Sequence, residues 1–562
     1  MAEARGGIPD QTSGQLTHRQ VLIVLSGLML GMLLAALDQT IVATALPTIV
    51  GDLHGLDHLS WVVTAYLLTT TLSTPLYGKI SDLYGRKRIF QIAIVIFLVG
   101  SALSGLSRNM DELIVFRAVQ GLGGGGLMAL AMAIVGDIVS PRERGRYQGY
   151  FGAVFALASF GGPLAGGFLT DHLTWRWIFY INIPVGILAL VITSAVLRLP
   201  LPARRTASID YTGAALTVGA VTPLLLVTVW GGVTYRWGSP VIVGLLVVSV
   251  AMVGAVVWWE RRAPEPIFPP HVFALPVVKA ALGMTFFVTA AMFAVIIYIP
   301  VYLQLVHGAS PTASGVELLP LMIGMLTTSI GSGRLVTRFG RYKVFPVVGS
   351  ATMAVGAWLL THLGLHTSLA AASGYMVVFG VGMGMTLQIV VVAVQNAVER
   401  RDIGSATSSV SFFRNIGAAC GSALLGTILF SRLGYWLPRL VPKGTKLNLS
   451  QSFTITPKQL HALPPAVRAG VVDSFVRSLH VVFLVGIPIA VLAFVCGLLL
   501  KEIPLDSAAR GAAEGAAVRD GAAPADGDAP AVPATTAGAT GIEADGTSAR
   551  HDTVPTSSGS PA

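Results

Sequence analysis

Gly78-Lys79-Ile80-Ser81-Asp82-Leu83-Tyr84-Gly85-Arg86-Lys87-Arg88 returns in altered form as Gly333-Arg334-Leu335-Val336-Thr337-Arg338-Phe339-Gly340-Arg341-Tyr342-Lys343. Both copies set a glycine, a basic residue and an aliphatic residue ahead of an aromatic-Gly-Arg triplet at matching offsets. A second correspondence follows one connection later. Gly145, Gly162 and Gly167 align with Gly404, Gly421 and Gly426 at one common shift. Each copy lies between long apolar runs, and repeated halves of similar hydropathy are a mark of membrane transporters.

Working outward, apolar runs long enough to cross a bilayer recur along nearly the whole chain. They fall at 21–43, 59–77, 89–106, 113–135, 147–168, 178–197 and 211–230, then at 241–259, 277–306, 313–335, 344–360, 369–393, 405–430 and 481–500. The sequence therefore predicts an all-α membrane protein of fourteen spans. A six-helix half covers 21–200, an inserted pair 201–262, and a second six-helix half 263–503. A long external loop is expected at 431–480. Residues 1–20 form a short cytoplasmic segment. The first run outlasts a signal-peptide core and is read as a retained helix.

Composition agrees. Only 11% of the 562 residues are charged, against about 25% in soluble domains, too few to make a solvated surface. Glycine is enriched, at 63 residues, as suits backbones that pack closely in a membrane. The net charge of +10 would suggest nucleic acid in a soluble chain. Here the basic residues mark alternate connections: Lys79 with Arg86, Lys87 and Arg88; Arg142, Arg144 and Arg146; Arg198, Arg204 and Arg205; Arg261 and Arg262; Arg334 to Lys343; Arg400 and Arg401. The connections at 51–60 and 307–312 are poor in Lys and Arg. The positive-inside rule then places both termini in the cytoplasm of a cell (inner) membrane protein. Residues 504–562, rich in Ala, Gly, Asp, Pro, Ser and Thr, are expected to be a disordered tail.

Four motifs resemble the major facilitator superfamily over roughly residues 20 to 500, and within it the fourteen-span drug:proton antiporters, which include bacterial quaternary-ammonium and multidrug exporters. The first is Leu37-Asp38-Gln39-Thr40-Ile41-Val42-Ala43-Thr44-Ala45-Leu46-Pro47, with Ala43 where that branch usually has Asn. The second is the run from Gly78 to Arg88, with Leu83 where a basic residue is common. The third is Leu113-x3-Arg117-x2-Gln120-Gly121. The fourth is Gly162-Pro163-Leu164-Ala165-Gly166-Gly167. By resemblance, the fourth separates antiporters from symporters.

The chemistry of these motifs can be read beside the resemblance. Asp38 sits in the first span, where a charged Asp costs about 2.5–3.5 kcal/mol to insert. A desolvated acid releases its proton less readily, which suits a coupling group or a counter-ion for a cation; the alternative is a packing hydrogen bond or a hydrated position. Arg117 in the fourth span stays charged when buried and can gate proton release from a nearby acid, or serve as a structural pair. Gln120 shares its helical face. Arg414 in the thirteenth span and Glu317 near the start of the tenth are further coupling candidates.

Gly78 and Gly85 allow close approach and a tight turn. Asp82 can pair with Arg86 or Arg88, or accept bonds from a helix N-terminus of the other half. Asp137 and Arg144 form a similar cluster after the fourth span. These are gating candidates, with topology alone as the other reading. Gly162-Pro163 interrupts helical hydrogen bonding, and Gly166-Gly167 resists bending little. Trp61, Tyr66, Gln120, Gln388 and Gln395 are candidate substrate-lining residues, by cation-π attraction and adaptable amide bonding.

The GxGxxG within 121–126 lies inside an apolar helix rather than a βαβ unit, so Gly121 and Gly125 are read as a close-packing surface. No GxxxxGK[ST] is present. Cys420 and Cys496 lie in apolar runs and suggest neither a disulfide nor a metal site. The expectation is a non-enzymatic, proton-coupled exporter of amphiphilic, hydrophobic or cationic small molecules. It would need no cofactor beyond the proton, meet membrane lipid but no nucleic acid, and is taken as a monomer. Rival readings are export of a lipid or secondary metabolite, a proton-coupled nutrient importer, and a non-transporting receptor.

Overall fold

Backbone N–H and C=O groups in hydrocarbon must be satisfied within their own segment, so each apolar run folds as a helix. The computed structural model describes residues 18–53, 59–197, 210–232, 234–309, 311–442 and 463–505. The N-terminal half comprises α1 (His18–Leu53), α2 (Leu59–Tyr84), α3 (Arg86–Leu106), α4 (Met110–Ile138) and α5 (Arg144–His172). Its sixth span is split into α6 (Trp177–Tyr180) and α7 (Asn182–Val196). The inserted pair is α8 (Tyr211–Trp230) and α9 (Pro240–Glu260). The C-terminal half follows as the short α10 (Pro270–Ala274), then α11 (Pro276–Val306), α12 (Pro311–Glu317), α13 (Leu319–Phe339), α14 (Val344–Leu360), α15 (Leu369–Ala397), α16 (Ile403–Leu440) and α17 (Pro465–Leu499).

Among the described residues, twelve helices are long and apolar enough to cross a membrane. α2 falls short because Thr69, Thr70, Thr71, Ser73 and Thr74 dilute its middle, and α14 because it has 17 residues. Both pack inside the bundle as the other spans do, which gives fourteen.

The repeat seen in the sequence is a repeat of packing. α1 lies on α5, α2 on α4, α3 on α4 and α1 on α7; α11 lies on α16, α13 on α15, α14 on α15 and α11 on α17. The halves meet where α2 runs along α16 and α13 along α5. α8 and α9 form a hairpin, with α8 resting on both α2 and α16. Leu72, Val221, Leu225 and Phe412 make a small apolar cluster there.

Small residues set the helix spacing, as they do where lipid removes a hydrophobic drive between helices. A Cβ on Gly123 would stand 2.6 Å from the Ala93 carbonyl oxygen, and one on Gly125 2.5 Å from that of Thr70. Gly356 and Gly382 bring α14 and α15 together in the same way. The glycine run at 121–126 is thus a packing surface.

Three expectations change. The segment 78–88 is not a free loop: α2 continues to Tyr84 and only Gly85, at φ 95°, breaks the helix before α3. The second copy ends alike, with α13 closed by Gly340 at φ 70°. The segment 431–480, expected to be an external loop, is helical at both ends, since α16 runs to Leu440 and α17 starts at Pro465. Charged residues such as Arg432, Arg439, Arg468 and Arg477 hid these extensions from hydropathy, because a helix need not stop where the hydrocarbon does. Thirdly, α1 begins at His18, inside the segment 1–20 expected to precede the first span. α5 keeps its helical course through Gly162 and Pro163, although the proline has no N–H to give the preceding turn. Residues 1–17 of the expected N-terminal segment, the basic run at 198–205, the lysines at 443, 446 and 458, and the tail from 506 lie outside the described residues.

Candidate functional site

Asp38 is fully buried in α1 and forms the centre of a polar cluster drawn from five spans of the N-terminal half. Arg117 Nη1 donates to Asp38 Oδ2 at 2.6 Å and to Gln120 Oε1 at 2.8 Å. Gln120 Nε2 donates to Asp38 Oδ1 at 2.8 Å. Asn182, at the start of α7, reaches the same Oδ1 at 3.4 Å and Ser101 Oγ of α3 at 3.0 Å. Ser101 Oγ in turn donates to the Phe179 carbonyl at 2.8 Å. Arg117 Nε donates to the Val62 carbonyl at 3.3 Å, and its guanidinium lies 4.3 Å from the Tyr66 ring centroid. The Tyr66 hydroxyl reaches the Ala35 carbonyl at 3.4 Å.

The two oxygens of Asp38 therefore have different partners. Oδ1 takes neutral amide donors, which serve the acid and the carboxylate alike. Oδ2 faces the arginine. A proton arriving at Oδ2 would replace Arg117 there, and Arg117 would keep Gln120, the Val62 carbonyl and the Tyr66 face. A buried ion pair of this kind contributes little net stability but is costly to half-remove, so it can act as a switch between two defined arrangements.

The Gly162 motif bears on this cluster through α1. A Cβ on Gly162 would overlap Thr40 Oγ1 and stand 3.2 Å from the Ile41 amide nitrogen. Thr40 Oγ1 donates to the Ala158 carbonyl at 2.9 Å. Gly162 thus lets α5 touch α1 one half-turn beyond Asp38. Gly166 is also buried, whereas Gly167 has open space around it.

A second site lies at the basic-loop end, between the halves. Asp82 accepts the Gly404 and Ser405 amides, at 3.2 and 2.9 Å, from the N-terminus of α16. Arg86 pairs with Asp82 at 2.8 Å and also with Asp137. Arg88 is exposed and takes no part in these bonds. Gly78 is the close-approach residue: a Cβ there would stand 2.7 Å from the Gly404 carbonyl oxygen. Arg144 donates to the Gln395 carbonyl at 2.9 Å and to the Gly136 carbonyl at 2.7 Å.

The second copy builds the mirror of this contact. Thr337 stands where Asp82 does, and its Oγ1 accepts the Arg146 amide at 3.2 Å, Arg146 being the counterpart of Ser405. A Cβ on Gly145 would stand 2.9 Å from the Gly333 carbonyl oxygen. The side chain at the first latch is a carboxylate and at the second a neutral hydroxyl, beside which Arg142 donates to the Thr337 and Arg338 carbonyls at 3.2 and 3.4 Å. Both hold the basic-loop end closed, together with Gln148–Gln395 at 3.4 Å and Ser329 to the Gly149 carbonyl at 3.2 Å.

The remaining candidates divide. Tyr66 and Gln120 belong to the Asp38 cluster rather than to an open wall. Trp61 packs edge-on against Trp230 of α8, with centroids 5.9 Å apart, so it faces the inserted pair. Gln395 is a joint between halves, donating to the Met132 carbonyl at 3.0 Å and to Thr407 Oγ1 at 3.1 Å. Gln388 is buried with Oε1 unpartnered among the described residues, and so is one atom of Glu317, Oε2. Arg414 stands apart from Asp38, with Nε and Nη2 unpartnered among the described residues. Asn182, Ser101 and Thr337 were not singled out from the sequence. Thr337 was readable from the repeat, and Asn182 as a polar residue opening an apolar run.

Comparison with known proteins agrees with this architecture. Residues 28–422 match the family model described as Major Facilitator Superfamily. An uncharacterized MFS-type transporter of Mycobacterium tuberculosis (strain H37Rv) is 43% identical over 487 residues, covering 86% of this chain and 70% of its own. The multidrug transporter protein MdtP of Bacillus subtilis (strain 168) is 37% identical over 521 residues, covering 88% and 95%. Among solved structures, the proton:xylose symporter XylE superposes with a TM-score of 0.59 at 14% identity, covering 88% of this chain and 99% of that one. That last likeness concerns the fold alone. This chain is a multi-pass membrane protein and belongs to the major facilitator superfamily.

Proposed function

We propose that the chain exports amphiphilic, hydrophobic or cationic small molecules by alternating access, in exchange for protons entering down their gradient. The observation that carries this reading is the fully buried Asp38–Arg117 pair, in which one carboxylate oxygen is positioned to trade an arginine for a proton. The multidrug name of a relative that covers 88% of this chain supports the substrate class. The basic clusters support a basic-loop end in the cytoplasm and a cell (inner) membrane location. In that orientation the two latches close the cytoplasmic side, and transport requires them to part.

The cycle then follows from the two sites. With the cytoplasmic side closed, substrate leaves outward and a proton reaches Asp38. Neutralising Asp38 frees Arg117 from its ion pair, which loosens the contacts among α1, α2, α4 and α7. Reopening to the cytoplasm breaks the latches and releases the proton, and a new substrate binds. Vesicles carrying the purified protein, loaded with ethidium, test the reading directly. Ethidium movement should accelerate several-fold when a pH gradient is imposed and fall back when an ionophore collapses it. Movement that ignores the gradient would replace antiport with facilitated diffusion.

The unequal latches make a second prediction. Hydrogen bonds to charged groups contribute about 1.5–3 kcal/mol and neutral ones about 0.5–1.5. Asp82→Asn should therefore slow turnover about tenfold and Thr337→Val only about two- to threefold, both with normal membrane insertion. Equal slowing by the two variants, measured as initial ethidium efflux, would show that charge is irrelevant to closure.

A further inference from the structure

We infer that the C-terminal half holds a site for a carboxylate of the transported molecule, formed by Arg414, Ser411 and Gln388. This rests on the export reading and sharpens its substrate class. In the Asp38 cluster the two charged groups satisfy each other. Around Arg414 no such pairing is made: Nε and Nη2 of Arg414, Oγ of Ser411 and Oε1 of Gln388 are buried and lack partners among the described residues. Each such atom is costly to leave unmade, and three side chains with this property on two neighbouring helices are hard to attribute to packing.

Their placement follows from helix geometry. α15 and α16 are antiparallel, joined through the short turn at Arg400–Asp402. Gln395 and Thr407 tie them together, Nε2 to Oγ1, at 3.1 Å. Gln388 lies seven residues before Gln395, and Arg414 seven after Thr407. Seven residues are about two turns, or roughly 10 Å of rise, and return to nearly the same face. Gln388 and Arg414 therefore sit at one depth, on the faces that meet at the joint below them. Ser411 lies one turn short of Arg414. Gln388 also looks across to the other half, since a Cβ on Gly152 of α5 would stand 3.5 Å from its Cγ. Gln388 thus borders α5, and Arg414 lies on α16, the helix that runs along α2, so both side chains stand on helices that line the boundary between the halves.

The chemistry names the ligand. Nε and Nη2 form one edge of the guanidinium, the edge that grips both oxygens of a carboxylate. Arg414 remains charged in any surroundings. Ser411 Oγ can donate a further bond, and Gln388 Oε1 can accept one from a hydroxyl or N–H group. The site fits an amphiphile bearing a carboxylate beside a hydrogen-bond donor, and gives no help to a cation that lacks an acid.

Rhodamine 110 and its methyl ester, rhodamine 123, share one cationic chromophore with N–H donors and differ in the free carboxylate. Their binding to the full chain in detergent, read by fluorescence polarisation, should favour the acid about tenfold or more. Arg414→Gln should erase that preference by weakening the acid and leaving the ester unchanged. Arg414→Lys, which keeps the charge but loses the fork, should keep only part of it and serves if the Gln variant does not fold. No preference in the wild type, failure of the acid to bind, or a full preference in either variant would overturn the site. Because no gradient is involved, a failed ethidium experiment with an intact acid preference would remove the coupling and keep the site.

Discussion

Arg117→Gln is expected to cost about 3–5 kcal/mol of stability, the usual penalty for removing one partner of a buried ion pair. The loss would appear as a lower unfolding midpoint of the purified protein in detergent. Asp38 is wholly shielded, and its Oδ2 faces Arg117 alone among the bonds it makes. The substitution strands that charge at a depth water does not reach. Removing the acid as well should reverse most of the effect, so Asp38→Asn with Arg117→Gln should unfold at a higher temperature than Arg117→Gln by itself. Arg117 also stacks on Tyr66, 4.3 Å away, so recovery should be incomplete. A single variant as stable as the wild type at acid and alkaline pH alike would show that Asp38 has another counter-charge, and the switch between Arg117 and a proton would lose its basis; rescue at acid pH alone is what the switch expects.

Gly78→Val should abolish transport while leaving the helices inserted. The branched side chain would enter the contact with α16, where even a Cβ stands 2.7 Å from the Gly404 carbonyl and within overlap of Ser408. That carbonyl belongs to backbone and cannot turn aside. The basic-loop end would then be held apart. Turnover should fall about a hundredfold or more, well beyond the effect of Asp82→Asn, because backbone overlap adds to the lost contact of the whole latch. A cysteine pair placed at Ser81 and Ser405 should cross-link readily in the wild-type background and poorly beside Gly78→Val. Undiminished cross-linking with normal turnover would mean that α2 and α16 separate and rejoin by another route.

Much of this was open to reading in the sequence because the membrane makes its rules strict. Asp38 and Arg117 are the charges a lipid-facing chain would not carry without use, and they do meet. Asp82 was legible as a cap for a helix of the other half because it belongs to a repeated motif beside a glycine. Trp61 was misread as a wall residue: spacing along α2 gives its face but not which neighbour covers that face, and the covering helix, α8, is an insertion outside the repeat. Asn182 and Ser101 escaped because a lone amide or hydroxyl in an apolar run carries no signature, and their partners are far away in sequence. The ends of α16 and α17 escaped because hydropathy reports the hydrocarbon, whereas hydrogen bonding sets the helix.

The most direct test of Asp38 as the proton carrier runs the exchange backwards. Vesicles with no pH gradient are given a gradient of ethidium, and a trapped pH-sensitive dye reports protons. In the wild type, ethidium moving down its gradient should drive protons the opposite way, and the pH inside should shift until an ionophore dissipates it. In Asp38→Asn, which keeps shape and hydrogen bonding but cannot titrate, ethidium should still exchange downhill and the pH signal should vanish. A pH shift in Asp38→Asn as large as in the wild type would contradict the account and move the coupling proton away from this cluster.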